Sequence, residues 1–129
     1  MQKKRPIILY EGQKFRVECA IRKNGTCESK EFLDSLDNSN RVKIIKIIKH
    51  FAQRGLISNR EKFKKVEGTN FWEFKEFQLR ILMYYCATRS VVALTHGFRK
   101  KGDRIPKPMI ERAEQIKAEY DEIREGWAV

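Results

Sequence analysis

From Phe71 to Pro108 the chain reads FWEFKEFQLRILMYYCATRSVVALTHGFRKKGDRIPKP, and no other stretch limits its possible folds so strongly. Three runs rich in aromatic and aliphatic residues, separated by short polar breaks, predict three consecutive antiparallel strands that end in a basic loop. In the first run Trp72 and Phe74 point one way and Glu73 and Lys75 the other. The second, from about Leu79 to Ala87, is apolar on both faces except that Arg80 shares a face with Leu82 and Tyr84. That is the pattern of a central strand covered on both sides. The third, Val91 to Phe98, follows a tight Thr88-Arg89-Ser90 connection and is expected to place Leu94, His96 and Phe98 on one face. Gly97 leaves the other face open to a ligand or a neighbouring backbone.

The flanks supply the other layer. Lys14 to Arg22 alternates, with Phe15, Val17, Cys19 and Ile21 on one face and Lys14, Arg16, Glu18 and Arg22 on the other, which predicts a half-buried strand closed by an Asn24-Gly25 turn. Ser29 to Leu36 reads as a short helix. A longer one, capped by Asn38 or Ser39, runs to about Arg54 with Ile44, Ile47, Ile48 and Phe51 at helical spacing and Gly55 as C-cap. Two helices so close together predict a hairpin on one face of the sheet. Ile57 to Asn70 is read as connection anchored by Phe63 and Val66. Beyond Pro108, Met109, Ala113, Ile116, Tyr120, Ile123 and Trp127 form the stripe of a final helix. The fold class is therefore α+β: an antiparallel-dominated sheet with an N-terminal helical hairpin and a C-terminal helix. Residues 1–13 are a basic arm whose Ile7 to Tyr10 is either an edge strand or unstructured; residues 14–125 are a single domain.

Composition narrows the function. The net charge is +11, and the surplus is regional: between Arg41 and Lys65 the only acid is Glu61, whereas from Glu111 to Glu125 acids outnumber bases. Such a surplus points to nucleic acid, an acidic protein or an anionic surface. No apolar run approaches a membrane span, and the basic start lacks the apolar core and cleavage site of an export signal, so a cytoplasmic location is expected. Cys19, Cys27 and Cys86 are odd in number and widely spaced, which fits small buried hydrophobes better than disulfides or a zinc site. No Gly-rich phosphate loop precedes a helix, and no Cys/His set has metal spacing, so neither metal nor cofactor is expected.

The sheet instead delivers cations to one end: Lys75, Arg80 and His96 on strands, then Arg99, Lys100, Lys101, Arg104 and Lys107 on the exit loop. A polyanion, with RNA as the working assignment, is the expected ligand. RNA cleavage without a metal requires help for the 2′-hydroxyl proton, charge to stabilise the phosphorane, and a proton for the departing 5′-oxygen. An arginine fork matches a phosphate, a crowded lysine can also transfer protons, and histidine titrates near neutrality. Arg80, Lys100, Lys101 and His96 are accordingly the candidate catalytic residues, and Lys75, Arg99, Arg104 and Lys107 the candidate RNA contacts. Each has a plainer reading: Arg99 to Arg104 as a solvated hairpin end, His96 as a core or edge histidine, and Lys75 as a cross-strand partner of Glu73 or Glu76. Arg80 resists such a reading, because an unpaired charge on so apolar a strand is costly.

At these residues the chain resembles the RelE/HigB-type toxins of type II toxin–antitoxin systems, in the phage-derived HigB-like branch. The resemblance spans about Phe15 to Tyr120. It rests on Glu31-Phe32-Leu33 through Leu36, Phe63-Lys64-Lys65 with Gly68, Trp72-Glu73-Phe74-Lys75, and Arg80-Ile81-Leu82. Its strongest mark is Leu94-Thr95-His96-Gly97-Phe98-Arg99-Lys100-Lys101 followed by Ile105-Pro106. It implies a compact RelE-like domain and a ribosome-dependent mRNA endoribonuclease that uses basic residues without a metal. It also implies a cognate antitoxin, commonly a helix-turn-helix protein. On this chain Arg80 is similar to the strand arginine at the scissile phosphate, Lys100 and Lys101 to the basic pair after the Gly-Phe step, and Lys107 to a later basic residue. Lys75 matches the basic position after Trp-Glu-Phe, and His96 the histidine before the glycine. Tyr120 lies too far along the last helix to match the catalytic tyrosine of some RelE toxins. The rival readings are a non-catalytic RNA-binding module and a phage-encoded basic protein that docks on an acidic partner.

Overall fold

A computed structural model describes residues 5–100, 102 and 104–127 of the chain. The elements, in order, are β1 (Ile7–Glu11), β2 (Arg16–Cys19), α1 (Glu28–Ser35), α2 (Asn38–Arg54), β3 (Phe63–Lys65), β4 (Trp72–Glu76), β5 (Leu79–Tyr85), β6 (Val91–Arg99) and α3 (Lys107–Trp127). One six-stranded sheet has the order β1-β2-β6-β5-β4-β3. Every pairing is antiparallel except β2 with β6. The α+β class, the hairpin and the C-terminal helix all stand as the sequence predicts.

β5 is the centre. Leu79 through Tyr84 are all buried, because the sheet carries a helical layer on each side. On the hairpin side Val17, Leu33, Ile44, Ile48, Phe51, Phe74, Ile81, Met83 and Leu94 form one core. Phe51 is its hub, with ring centroids 5.0 Å from Phe15 and from Phe63 and 5.6 Å from Phe74. On the α3 side Leu82, Tyr84, Ala93, Ala113, Ile116 and Tyr120 form the second core. The strand's period of two thus splits β5 between the cores, and Arg80 falls on the α3 side.

Several local expectations change. The cap of α2 is Asp37, not Asn38 or Ser39: its carboxylate accepts from the backbone N–H of Asn40 at 3.4 Å and from the Asn40 amide nitrogen at 2.7 Å. Gly55 does close the helix, at φ 79°, donating to the Phe51 carbonyl at 2.7 Å. Ile7–Glu11 is an edge strand, and the connection after Ile57 contains β3, too short to show a period, although its anchors Phe63 and Val66 are buried as expected.

The third predicted strand carries a bulge. Ile81 pairs with Gly97 and Met83 with Leu94, so two steps on β5 face three on β6. Leu94 therefore joins the hairpin-side core while Phe98 packs with the α3 core, and the predicted single face of Leu94, His96 and Phe98 does not form. The space beside Gly97 is filled by the Phe32 ring of α1, which a Cβ at this position would run into.

Candidate nucleic-acid interface

The alternation of β4 and β5 puts Glu73, Lys75 and Arg80 on the α3 side of the sheet. Lys75 stands opposite Arg80, and Lys64 of β3 opposite Glu73. The β4–β5 turn, with Phe77 at φ 54°, turns carbonyls towards Arg80. Arg80 Nη1 donates to the Phe77 carbonyl at 2.6 Å and the Leu79 carbonyl at 2.9 Å, and Nε lies 3.3 Å from Glu73 Oε1. Both side chains are more than nine-tenths buried, yet neither Glu73 Oε1 nor Arg80 Nε completes a hydrogen bond among the described residues. The pair is held by charge and by the carbonyl anchors rather than by an aligned fork.

Lys100 follows β6 directly, its backbone N–H fixed on the Gln78 carbonyl at 2.8 Å. Burial pushes its ammonium pKa below the ordinary lysine range. Glu73 opposes this, while the positive charges of Arg80, Lys75 and Lys64 add to it. Three strands and the start of the exit loop thus bring four cations within electrostatic reach of one buried carboxylate. Beside them opens a cleft of about 350 Å³, lined among others by Lys64, Val66, Glu73, Arg104, Ile105 and Ile110.

Of the residues singled out from sequence, Arg80, Lys100 and Lys75 come together, and Arg104 lines the adjoining cleft. Lys107 is exposed at the first position of α3. Arg99 pairs with Leu79 across the sheet on the hairpin side, where its charge helps lower the pKa of Asp37 after the hydrogen bonds from Asn40. Lys101 lies outside the described residues. His96 is buried against Phe98, ring centroids 5.4 Å apart, with Nδ1 3.3 Å from Thr95 Oγ1 and Nε2 without a hydrogen bond. Desolvation lowers its pKa to about 4, and the charges it feels are Glu28, Arg112 and Arg22, none of which is among those acting on Lys100. His96 is therefore a neutral core imidazole at physiological pH.

Two members of the cluster, Glu73 and Lys64, are not among the predicted site residues. For Glu73 the signal is the alternation of β4, which puts it on the face of Arg80; Lys64 has none, since it lies on the three-residue β3 and reaches that face by standing opposite Glu73. Glu73 and Glu76 lie on the same strand as Lys75 and are not its ion-pair partners; Glu73 pairs with Arg80, and Glu76 with Lys62 at 2.8 Å. A second buried carboxylate, Glu18, is structural. Tyr120 Oη donates to it at 2.7 Å and Arg124 Nε at 3.0 Å, which ties α3 to β2.

The sequence model of the phage-derived Gp49-like proteins (DUF891) matches residues 31–118, well over half of the chain. This chain belongs to the Gp49-like family. No curated protein matches it. The Gp49-like family is known as toxin-like and related to RelE and HigB. The matched segment runs from α1 into α3 and contains Lys64, Glu73, Lys75, Arg80 and Lys100. Among the described residues of this Gp49-like protein, no helix is long and apolar enough to cross a membrane.

Proposed function

We propose that this Gp49-like protein is the toxin of a type II toxin–antitoxin system, of the HigB branch, and that it cleaves mRNA on the ribosome in the cytoplasm. The observation that carries the reading is the meeting of Arg80, Lys100, Lys75 and Lys64 around Glu73. Repulsion among four partly buried cations is costly unless an anion arrives to relieve it. A phosphodiester passing through a phosphorane brings that anion, and its charge grows in the transition state.

In this reading the 2′-hydroxyl gives up its proton to solvent as its oxygen attacks phosphorus, the P–O5′ bond breaks, and the products are a 2′,3′-cyclic phosphate and a 5′-hydroxyl. Lys100 in its ammonium form gives its proton to the departing 5′-oxygen, and its lowered pKa makes it a stronger acid than an ordinary lysine. Arg80, with Lys75 and Lys64, stabilises the non-bridging oxygens. Glu73 positions Arg80. The fixed cations supply the charge stabilisation, so metal independence is part of the proposal. The partners are mRNA on the ribosome and a neutralising antitoxin, with a helix-turn-helix protein as the expected type.

Primer extension on messages from induced cells tests this. Wild type is expected to arrest growth and generate discrete new 5′ ends. Lys75→Ala and Lys100→Met, with unchanged melting profiles, should abolish them. Growth arrest without new ends would instead support an RNA-binding module that does not cut.

A further inference from the structure

The acid-poor stretch from Arg41 to Lys65 holds nine lysines and arginines, and the cation cluster explains few of them. Arg41 is spent on the α1 carbonyls of Leu33 and Asp34 and on that of Leu36, and Lys64 and Lys65 line the α3-side cleft. Lys43, Lys46 and Lys62, with His50, converge instead on a second cleft of about 430 Å³ on the hairpin side. Lys43, Lys46, Ile47 and His50 lie at helical spacing along one face of α2. Ile47 and Ile57 give the cleft an apolar lining backed by the hairpin-side core. Its one lining acid, Glu76, is already held by Lys62 at 2.8 Å. Three large apolar side chains stand out beside it in the chain: Val42, Leu56 and Phe77 are 55%, 67% and 82% exposed.

We infer that this cleft docks an acidic segment of a partner protein, one that carries apolar side chains among its carboxylates. Carboxylates meet the lysine rim and aliphatic side chains fill the space against Ile47 and Ile57, the combination of apolar centre and charged rim typical of peptide grooves. RNA fits less well, because among the described lining residues no arginine fork grips phosphates and the His50 imidazole is the one ring on which a base could stack. The cleft is on the other side of the sheet from Arg80, so its occupant and an RNA at the cation cluster can bind together. The inference is independent of the nuclease reading.

Isothermal titration of the full chain at physiological salt tests it. The probe is a peptide of about fourteen residues with leucines at helical spacing among glutamates. Controls are the same peptide with serine for leucine, and an oligoadenylate of similar charge. The leucine peptide should bind, with amide shifts mapping to α2 and the 57–62 segment. Affinity should fall at least about tenfold with the serine peptide and with the exposed-lysine variant Lys43→Glu/Lys46→Glu. The milder Lys43→Gln/Lys46→Gln should fall in between. The inference is overturned by absent or leucine-independent binding, by unchanged affinity in the folded variants, by shifts on the Arg80 side, or by displacement of the peptide by oligoadenylate.

Discussion

An arginine at the head of a strand as apolar as β5 is costly to bury, and Arg80 meets that cost with two carbonyls and one carboxylate. Lysine cannot reproduce the planar fork, so Arg80→Lys should keep the fold yet lower cleavage on programmed ribosomes by about 10²–10³. If Lys100 is the proton donor, as proposed, it must be charged to act; its pKa is depressed, so the cleavage rate should fall with rising pH at a lower pH than an ordinary lysine would dictate. His96 governs acid stability instead. Its folded pKa, about 4, lies below the ordinary 6.5, so the unfolded chain takes up a proton first. The stability this provides is complete above about pH 6.5 and is lost as pH falls towards 4, on the order of 3 kcal/mol. Chemical denaturation across that range should show a steeper loss for wild type than for His96→Gln.

Among elements, α1 and α3 are fastened by different physics. α1 presses Phe32 into the space over Gly97, so Gly97→Ala forces the ring or the helix away and should cost about 1–3 kcal/mol, read by urea unfolding. α3 is tied to β2 by the buried Glu18 bonds; Tyr120→Phe removes one donor to a carboxylate that stays buried and should cost about 1–3 kcal/mol by the same measurement. The sequence showed the helices and the central strands because their apolar periods are long enough to count. It hid the β6 bulge, since an inserted residue reverses side-chain direction without altering composition, and it hid β3, whose three residues carry no period. Glu18 looked like a solvent-facing residue because its cover, α3, lies about a hundred positions away in the chain.

At the scale of the whole molecule, the charge is divided by the sheet. One set of cations gathers on the α3 side around Glu73, another on the outer face of α2. The first was legible from Arg80 and the basic exit loop, with Lys75 on the same strand face. What a linear reading could not supply was the sorting of loop and strand residues between faces, which sends Arg99 towards Asp37 and buries His96 away from the cluster. RNA affinity should fall steeply with salt. The slope of log affinity against log salt should shrink by roughly 1.4 in Lys64→Ala/Lys75→Ala, about 0.7 for each lost phosphate contact to a single strand.

If Arg80 and Lys100 act on the same phosphate, their losses cannot be independent. A double-variant cycle on single-turnover mRNA cleavage by programmed ribosomes measures this most directly, using wild type, Arg80→Lys, Lys100→Met and the pair. A shared phosphate requires that each single change slows cleavage at least about 10²-fold and that the pair is slower than either by less than about tenfold. Cleavage that survives both changes, or losses that simply multiply, would contradict it.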